Sequence, residues 1–206
     1  TDAKAPAPNL AGKIGFPFSD GVIFFGLHYC EDLYRQAQAM QVPYAVISLS
    51  QPVLEGIDAV TVDLQRGLEQ AVDYLRQAGH SRIAFVNTRP ATKEFAGRRN
   101  VIVQKVLQDR GLFHPELQLS ACDLYELREL AVRWLARRDF SAIICGNDAQ
   151  ASHLKRELEH SGVSIPEELT IIGIDNNPAF PDFPSIAPDY YEVGTCATRL
   201  VLDGIA

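Results

Sequence analysis

Polar side chains end several apolar runs of the sequence, and their chemistry suits a polar ligand. Ser48 ends the run YAVIS, Asn147 follows the run SAIIC after one glycine, and Asp175 ends the run LTIIGID. A carboxylate accepts hydrogen bonds from neighbouring hydroxyls, while an amide both donates and accepts. If the runs are parallel strands, these groups lie at the strand ends where open α/β sheets bind ligands. A sugar is therefore the predicted ligand.

An arginine on the inward face of a helix adds a cation to this set. Arg98 lies three residues after Phe95 and four before Ile102, on one face of a predicted helix at 92–110. The helix dipole disfavours a cation near this end, so an inward guanidinium needs a partner. Two interpretations stay open: a structural ion pair, and a clamp that donates two parallel hydrogen bonds to a ligand.

Each of these polar residues also has a purely structural interpretation. Asp148 lies where a strand gives way to a helix, so we expect its carboxylate to cap the helix predicted at 148–162. Asn147 could be a turn residue and Asp175 part of the loop DNNP. The recurrence of polar groups after several strands favours a binding site, with Asp148 in a structural role.

The sequence gives little support for catalysis or metal binding. It contains no G-x-S-x-G, P-loop, G-x-G-x-x-G or H-E-x-x-H motif. The four cysteines form no C-x-x-C pair, which favours buried free thiols and a reducing cytoplasm. These cysteines are Cys30, Cys122, Cys145 and Cys196. We therefore predict a binding protein that is not an enzyme and that carries no metal and no cofactor.

Alternating strand-like and helix-like runs must position these side chains. Strands are predicted at 20–26, 43–49, 58–63, 81–88, 117–121, 141–145 and 169–175, and helices at 30–41, 64–79, 92–110, 124–138, 148–162 and 190–204. Strands that are apolar on both faces and alternate with helices indicate a parallel sheet covered on both sides. The predicted fold class is doubly wound α/β.

The length of the chain bears on the number of its lobes, and its net charge bears on whether it binds nucleic acid. The chain has 206 residues, of which 47% are hydrophobic, and a net charge of -7. We expect an N-terminal lobe at 1–61 with a linker-like start at 1–12, a C-terminal lobe at 62–184, and a return of 185–206 to the first lobe. The negative charge argues against this chain alone binding nucleic acid. No apolar run has the length of a membrane span, and the polar start lacks the apolar stretch of a signal peptide.

Three long tracts resemble the effector-binding core of the lactose-repressor (LacI/GalR) family of transcription regulators. They are YLRQAGHSRIAFV, AGRRNVIVQKVLQDRGL and FSAIICGNDAQASHLKRELEHSGVSIPEELTIIGIDNNPAF. The segments SDGVIFFG, VPYAVIS and VTVDLQRGLEQAVDYL match the family in order as well, so the resemblance runs from about Ser19 to Ala206. It implies a two-lobed fold of the type I periplasmic-binding-protein class, with a ligand cleft between lobes and an incomplete first lobe.

The resemblance also implies ligand-binding residues at matching positions. Arg98 corresponds to the arginine of the family's G-R pair, and Asn147 to the asparagine of its strand-end N-D pair. Asp175 corresponds to the first aspartate of its G-[FY]-D-[DN] motif.

Two further positions depart from the family pattern. Ser48 stands where the family commonly has Asp at the end of a strand, and it is the candidate contact across the cleft. The aromatic residue that often packs on the sugar ring falls near Leu124 or Tyr125. We include Tyr125 among the predicted ligand-binding residues.

The function that the resemblance implies is sensing of a small effector by a cytoplasmic transcription regulator, expected to be a repressor. Lobe closure on the effector would be coupled to operator DNA through an N-terminal headpiece not in this chain, in a homodimer without a membrane partner. Two alternatives stay open: a periplasmic-type solute-binding protein for sugar transport, and an α/β enzyme acting on a small polar substrate.

Overall fold

The structure is a computed structural model that describes residues 19–25, 31–48, 56–87, 97–121 and 123–205. Its strands are β1 Val22–Phe25, β2 Tyr44–Ile47, β3 Ala59–Val60, β4 Ile83–Asn87, β5 Gln118–Ser120, β6 Ala142–Cys145, β7 Thr170–Ile174 and β8 Ser185–Ile186. Its helices are α1 Glu31–Ala39, α2 Leu64–Gln77, α3 Gly97–Asp109, α4 Leu124–Arg137, α5 Asp148–His160 and α6 Tyr190–Ile205, with a 3₁₀ turn at Pro115–Leu117.

Every paired strand of the described chain runs parallel to its neighbours. One sheet has the order β1-β2-β3 and the other the order β5-β4-β6-β7-β8. Because parallel strands need crossover connections, helices cover their faces. The α/β class with parallel sheets that the sequence predicts is confirmed.

The chain divides into two compact units. The first joins Thr1–Val62 to Asp189–Ala206, and the second is Asp63–Pro188. In the first unit, alternate residues of β2 face opposite sides of the sheet, as a strand's period of two requires. Tyr44 and Val46 pack in a buried cluster with α1, while Ala45 and Ile47 pack with α6.

The same alternation builds the core of the second unit. Ile143 and Cys145 of β6 lie in a cluster with α4 and α5 that contains Trp134. Ala142 and Ile144 lie in a cluster with α2 and α3 on the opposite face. Burying an aliphatic side chain of this size contributes about 1.5–3 kcal/mol. The sheet is thus held from both faces, and its strand ends are fixed relative to one another.

A short strand, β8, lies between the predicted strand at 169–175 and the predicted helix at 190–204, where the sequence predicts no further element. β8 pairs with β7 through Gly173 opposite Ser185 and Ile174 opposite Ile186. Pro184 still contributes to the edge, because its carbonyl accepts from the Gly173 amide at 2.9 Å. Two paired residues are too few to leave a periodic signal in the sequence.

None of the helices in the described part of the chain is long and apolar enough to cross a membrane.

Candidate functional site

The carboxyl ends of β6 and β7 bring the candidate residues of the second unit together. The two strands are parallel, with Ile144 opposite Ile172, so the residues that follow them emerge at the same edge of the sheet. Gly146 and Asn147 follow β6, and Asp175 follows β7. The sequence-based prediction assumed parallel strands of this kind, and β6 and β7 are parallel.

An arginine of α3 connects these two strand ends. Arg99 Nη2 donates to Asp175 Oδ1 at 3.0 Å, and Arg99 Nη1 donates to the Gly146 carbonyl oxygen. Both side chains are largely shielded from solvent, with 18% of Arg99 and 27% of Asp175 exposed. In the described part of the chain, Arg99 Nε is buried without a hydrogen-bond partner. The site therefore contains a partly buried ion pair with unused donor capacity.

The sequence predicts Arg98, and not Arg99, as the inward-facing arginine of this helix. Arg98 is the second residue of α3, but its side chain lies outside the described residues, so its predicted role stays a prediction. The sequence argument used the stripe of Ile102, which is only partly buried. Val103 and Val106 are fully buried, and Arg99 lies four and seven residues before them. Positions four and seven apart share a helix face, which directs Arg99 inward.

Asp175 lies in an unfavourable environment for an ionised carboxylate. Burial raises the pKa of Asp175, the adjacent Arg99 guanidinium lowers it, and the nearby Asp148 carboxylate raises it again, with a net upward shift. Its backbone φ of 106° is in the left-handed half of the φ/ψ map, which side chains with a Cβ rarely adopt. Strained residues of this kind are concentrated at functional sites.

Asn147 has a structural contact as well as its predicted ligand role. Its Oδ1 accepts from the Gln150 amide at 2.8 Å, so Asn147 is the N-cap of α5. This contact uses the side-chain oxygen. The Nδ2 amide group makes no hydrogen bond with any of the described residues. Asn147 can therefore cap the helix and donate to a ligand at the same time.

The prediction that Asp148 caps α5 is wrong. Asp148 is the first residue inside the helix, and only 1% of it is exposed. Its Oδ2 accepts from the Asn177 amide at 2.6 Å and its Oδ1 from the Ser185 hydroxyl at 2.6 Å. One residue beyond the cap, the side chain contacts the loop that follows β7 and the first residue of β8. Its carboxylate therefore binds Asn177 and Ser185 and not the first amides of α5.

Ser48 belongs to the first unit and directly follows β2. Its amide donates to the Val60 carbonyl at 2.9 Å, which extends the pairing of β2 with β3 by one residue. The residue is 3% exposed, and its hydroxyl has no hydrogen-bond partner among the described residues. A buried hydroxyl without a partner costs about 1–3 kcal/mol, so an added ligand group would relieve that cost. Its ligand role stays a prediction.

Tyr125 lies apart from the cluster around Arg99. It is 69% exposed in the first turn of α4, where a hydrogen bond with Glu129 raises the pKa of the Tyr125 phenol. An open groove of about 390 Å³ is lined by Tyr125, Arg128, Glu129, Val132 and Arg133. No residue that lines this groove belongs to the cluster of Arg99, Asn147 and Asp175. The predicted stacking role of Tyr125 stays a prediction.

Two of the cysteines lie in the described part of the chain, and both are free thiols. Burial raises the pKa of Cys145, so this thiol stays protonated and unreactive. Cys30 and Cys122 lie outside the described residues. Within the described ranges, no group of three His, Cys, Asp or Glu side chains is arranged to hold a metal ion.

Comparison with known proteins shows the family to which this chain belongs. The model of the periplasmic binding protein-like domain matches residues 72–206. Catabolite control protein A of Staphylococcus xylosus is 26% identical over 190 residues, which cover 88% of this chain and 56% of that protein. The transcriptional repressor CytR of Escherichia coli strain K12, described as HTH-type, is 26% identical over 89% of this chain and 55% of its own length.

A solved structure matches over most of the chain. It is a LacI family transcriptional regulator from Enterococcus faecium with bound ribose, 28% identical, with a TM-score of 0.73 over 90% of this chain and 71% of that one. The chain spans a little over half the length of the two curated relatives above. It belongs to the periplasmic binding protein-like domain family, and its homologues are LacI-family transcription regulators.

Proposed function

We propose that this chain is the effector-sensing part of a DNA-binding transcription repressor and that its effector is a sugar. The observation that carries the proposal is the partly buried pair of Arg99 and Asp175 at the carboxyl ends of β6 and β7, 3.0 Å apart. Open α/β sheets bind ligands outside these strand ends. The pair offers a guanidinium and a carboxylate at one place, which suits a ligand rich in hydroxyls.

The chemistry of the pair matches neighbouring hydroxyl groups on a ring. Asp175 accepts hydrogen bonds from two adjacent hydroxyls, and Arg99 donates to adjacent oxygens. Asn147 adds an amide donor beside them, since its oxygen is already used by the Gln150 amide. The ribose in the related Enterococcus faecium regulator supports a sugar for this chain. We therefore choose D-ribose as the first probe.

Operator binding is proposed to reside in a separate headpiece of the full protein. This chain carries a net charge of -7, whereas affinity for duplex DNA depends on basic side chains that contact phosphates. The related repressor from Escherichia coli is described as HTH-type, which supports a headpiece of that kind. The effector would act through its different affinity for two states of a cytoplasmic homodimer.

A solute-binding role in transport is the second candidate, because the family model describes a periplasmic binding protein-like domain. The two functions share sugar binding and differ in the response of DNA affinity to the sugar. A full-length protein whose affinity for its operator changes on addition of D-ribose would support the regulator. Sugar binding without any such change would favour transport.

A thermal-shift series tests the sugar-binding core of the proposal. A ligand that binds only the folded state raises its stability by about 2.7 kcal/mol at a concentration of 100 Kd. We expect the melting temperature to rise with the logarithm of D-ribose concentration, and not with sodium chloride at matched osmolarity. No rise with D-ribose or with other pentoses and hexoses would contradict a sugar effector.

A further inference from the structure

The loop between β7 and β8 begins with residues whose backbone amides are hydrogen-bonded. The Asp175 amide donates to the Ile186 carbonyl at 3.0 Å. The Asn176 amide donates to Ser185 Oγ at 2.9 Å, and the Asn177 amide donates to Asp148 Oδ2 at 2.6 Å. Three consecutive amides are thus held, and two of them depend on side chains.

Those two side chains form one connected unit. The Ser185 hydroxyl donates to Asp148 Oδ1 at 2.6 Å, so each oxygen of the Asp148 carboxylate accepts one hydrogen bond. Asp148 is 1% exposed and begins α5, where the positive end of the helix dipole favours a carboxylate. The helix that follows β6 is therefore tied to the loop that follows β7.

The backbone of this loop requires such support. Asp175 has a φ of 106° and Asn176 a φ of 47°, and both residues carry a Cβ. Residues persist in sparsely populated regions of this kind only when the surrounding contacts determine their conformation. Asn176 and Asn177 are also exposed, so apolar packing does not supply these contacts.

The packing around Asp148 shows that its carboxylate is fitted to this place. A Cβ added at Gly173 would lie 2.0 Å from Asp148 Oδ1 and 2.8 Å from a ring carbon of Phe183. Only a residue without a side chain at position 173 lets the carboxylate pass the β7 backbone and reach the loop.

We propose that Asp148, acting with Ser185, is a positioning residue of the effector site that fixes the Asp175–Asn177 loop so that Asp175 faces Arg99. Asp148 does not touch the ligand in this account. Its carboxylate holds the loop from one side, while Arg99 holds the Asp175 side chain from the other. The inference rests on the proposed function, since the fixed loop is the one that presents Asp175 to the effector.

Amide hydrogen exchange in the ligand-free protein tests the positioning directly. In Asp148→Ala, we expect the Asn177 amide to exchange about tenfold faster relative to the amides of β7, because one hydrogen bond is lost. In Ser185→Ala, the Asn176 amide should accelerate in the same way. Asp148→Asn keeps one acceptor for the Asn177 amide, so its exchange should be closer to wild type.

The matched control is Asp123→Ala. Asp123 is also a carboxylate at a helix start in the second unit, and it accepts from the Glu126 amide at 2.9 Å. This variant loses a comparable hydrogen bond, and among the described residues Asp123 makes no hydrogen bond with the Asp175–Asn177 loop. We expect Asp123→Ala to leave the relative exchange rates of the loop and β7 amides unchanged. The proposal would be overturned if the Asp148 and Ser185 variants accelerated exchange equally in β7 and in the loop, because Asp148 would then have only a general structural role.

Calorimetric titration with D-ribose on the same variants connects the loop to binding. We expect Asp148→Ala and Ser185→Ala to bind D-ribose about five- to tenfold more weakly, Asp148→Asn to lie closer to wild type, and Asp123→Ala to bind like wild type. Selective loop exchange with unchanged affinity would overturn the link to the effector site. If the wild-type protein bound neither D-ribose nor the other pentoses and hexoses, the proposed function would fail, while the exchange data would still decide whether Asp148 positions the loop.

Discussion

Asn147 illustrates how one side chain can serve both a helix and a ligand. Its oxygen caps α5, whereas its amide group is the predicted ligand donor. Serine also caps helices well but lacks the amide, while alanine does neither. We expect Asn147→Ser to keep the melting temperature and lose affinity for D-ribose, and Asn147→Ala to cost about 1 kcal/mol of stability as well.

Thermal denaturation and calorimetric titration of both variants separate these two roles. Unchanged affinity for D-ribose in Asn147→Ser would leave Asn147 as a cap alone. A large loss of stability in Asn147→Ser would show that more than capping depends on its amide.

At the residue scale, the sequence indicated which candidate residues follow the strands better than it indicated their contacts. Asp175 and Asn147 could be identified because both follow apolar strands. Arg98 was chosen because it lies four residues before Ile102 and matches a motif of the family, whereas the fully buried stripe of α3 is the one that contains Val103 and Val106. The partners of Asp148 could not be predicted, since they lie 29 and 37 residues away in a loop without periodicity.

His80 links the amino ends of three strands in the second unit. It follows α2 and precedes β4, its Nδ1 lies 2.8 Å from the Ser141 hydroxyl, and its Nε2 lies 3.1 Å from the Thr170 hydroxyl. Burial lowers the pKa of His80, so the folded protein favours the neutral imidazole. The unfolded chain, with a histidine pKa of about 6.5, binds the proton more readily.

This shift predicts a pH-dependent stability with a definite sign. The contribution of neutral His80 is fully present above about pH 6.5 and is lost as the pH falls through the lower pKa of the folded state. We expect His80→Gln to flatten the fall in the free energy of unfolding between pH 7 and pH 5, measured by urea denaturation. An unchanged slope in the variant would show that other groups cause the pH dependence.

At the element scale, the six helices and seven of the eight strands of the described chain were predicted, and the two-residue β8 was not. Four buried residues of α2, at a spacing of three to four, give a clear helical period: Leu64, Leu68, Val72 and Leu75. β8 has only two residues, between Pro184 and Pro188, so neither alternation nor length could identify it. Its position depends on pairing with β7, which is a tertiary contact.

The charge of the whole chain predicts its behaviour towards DNA. With a net charge of -7, the isolated chain should not retard duplex DNA in a gel at physiological salt, because affinity for phosphates depends on an excess of basic side chains. The control is a full-length relative with its headpiece on the operator of that relative. Tight and sequence-selective retardation by the isolated chain would contradict the assignment of DNA binding to a separate headpiece.

The central claim is that Arg99 and Asp175 bind a sugar effector, and calorimetric titration of D-ribose tests it most directly. Wild-type protein should bind, and Asp175→Asn and Arg99→Ala should each lose about 1–3 kcal/mol of binding free energy, roughly 5- to 150-fold in Kd. Asp123→Asn should bind like wild type, since asparagine still caps α4. Equal affinity for D-ribose in wild type, Asp175→Asn and Arg99→Ala would contradict the account.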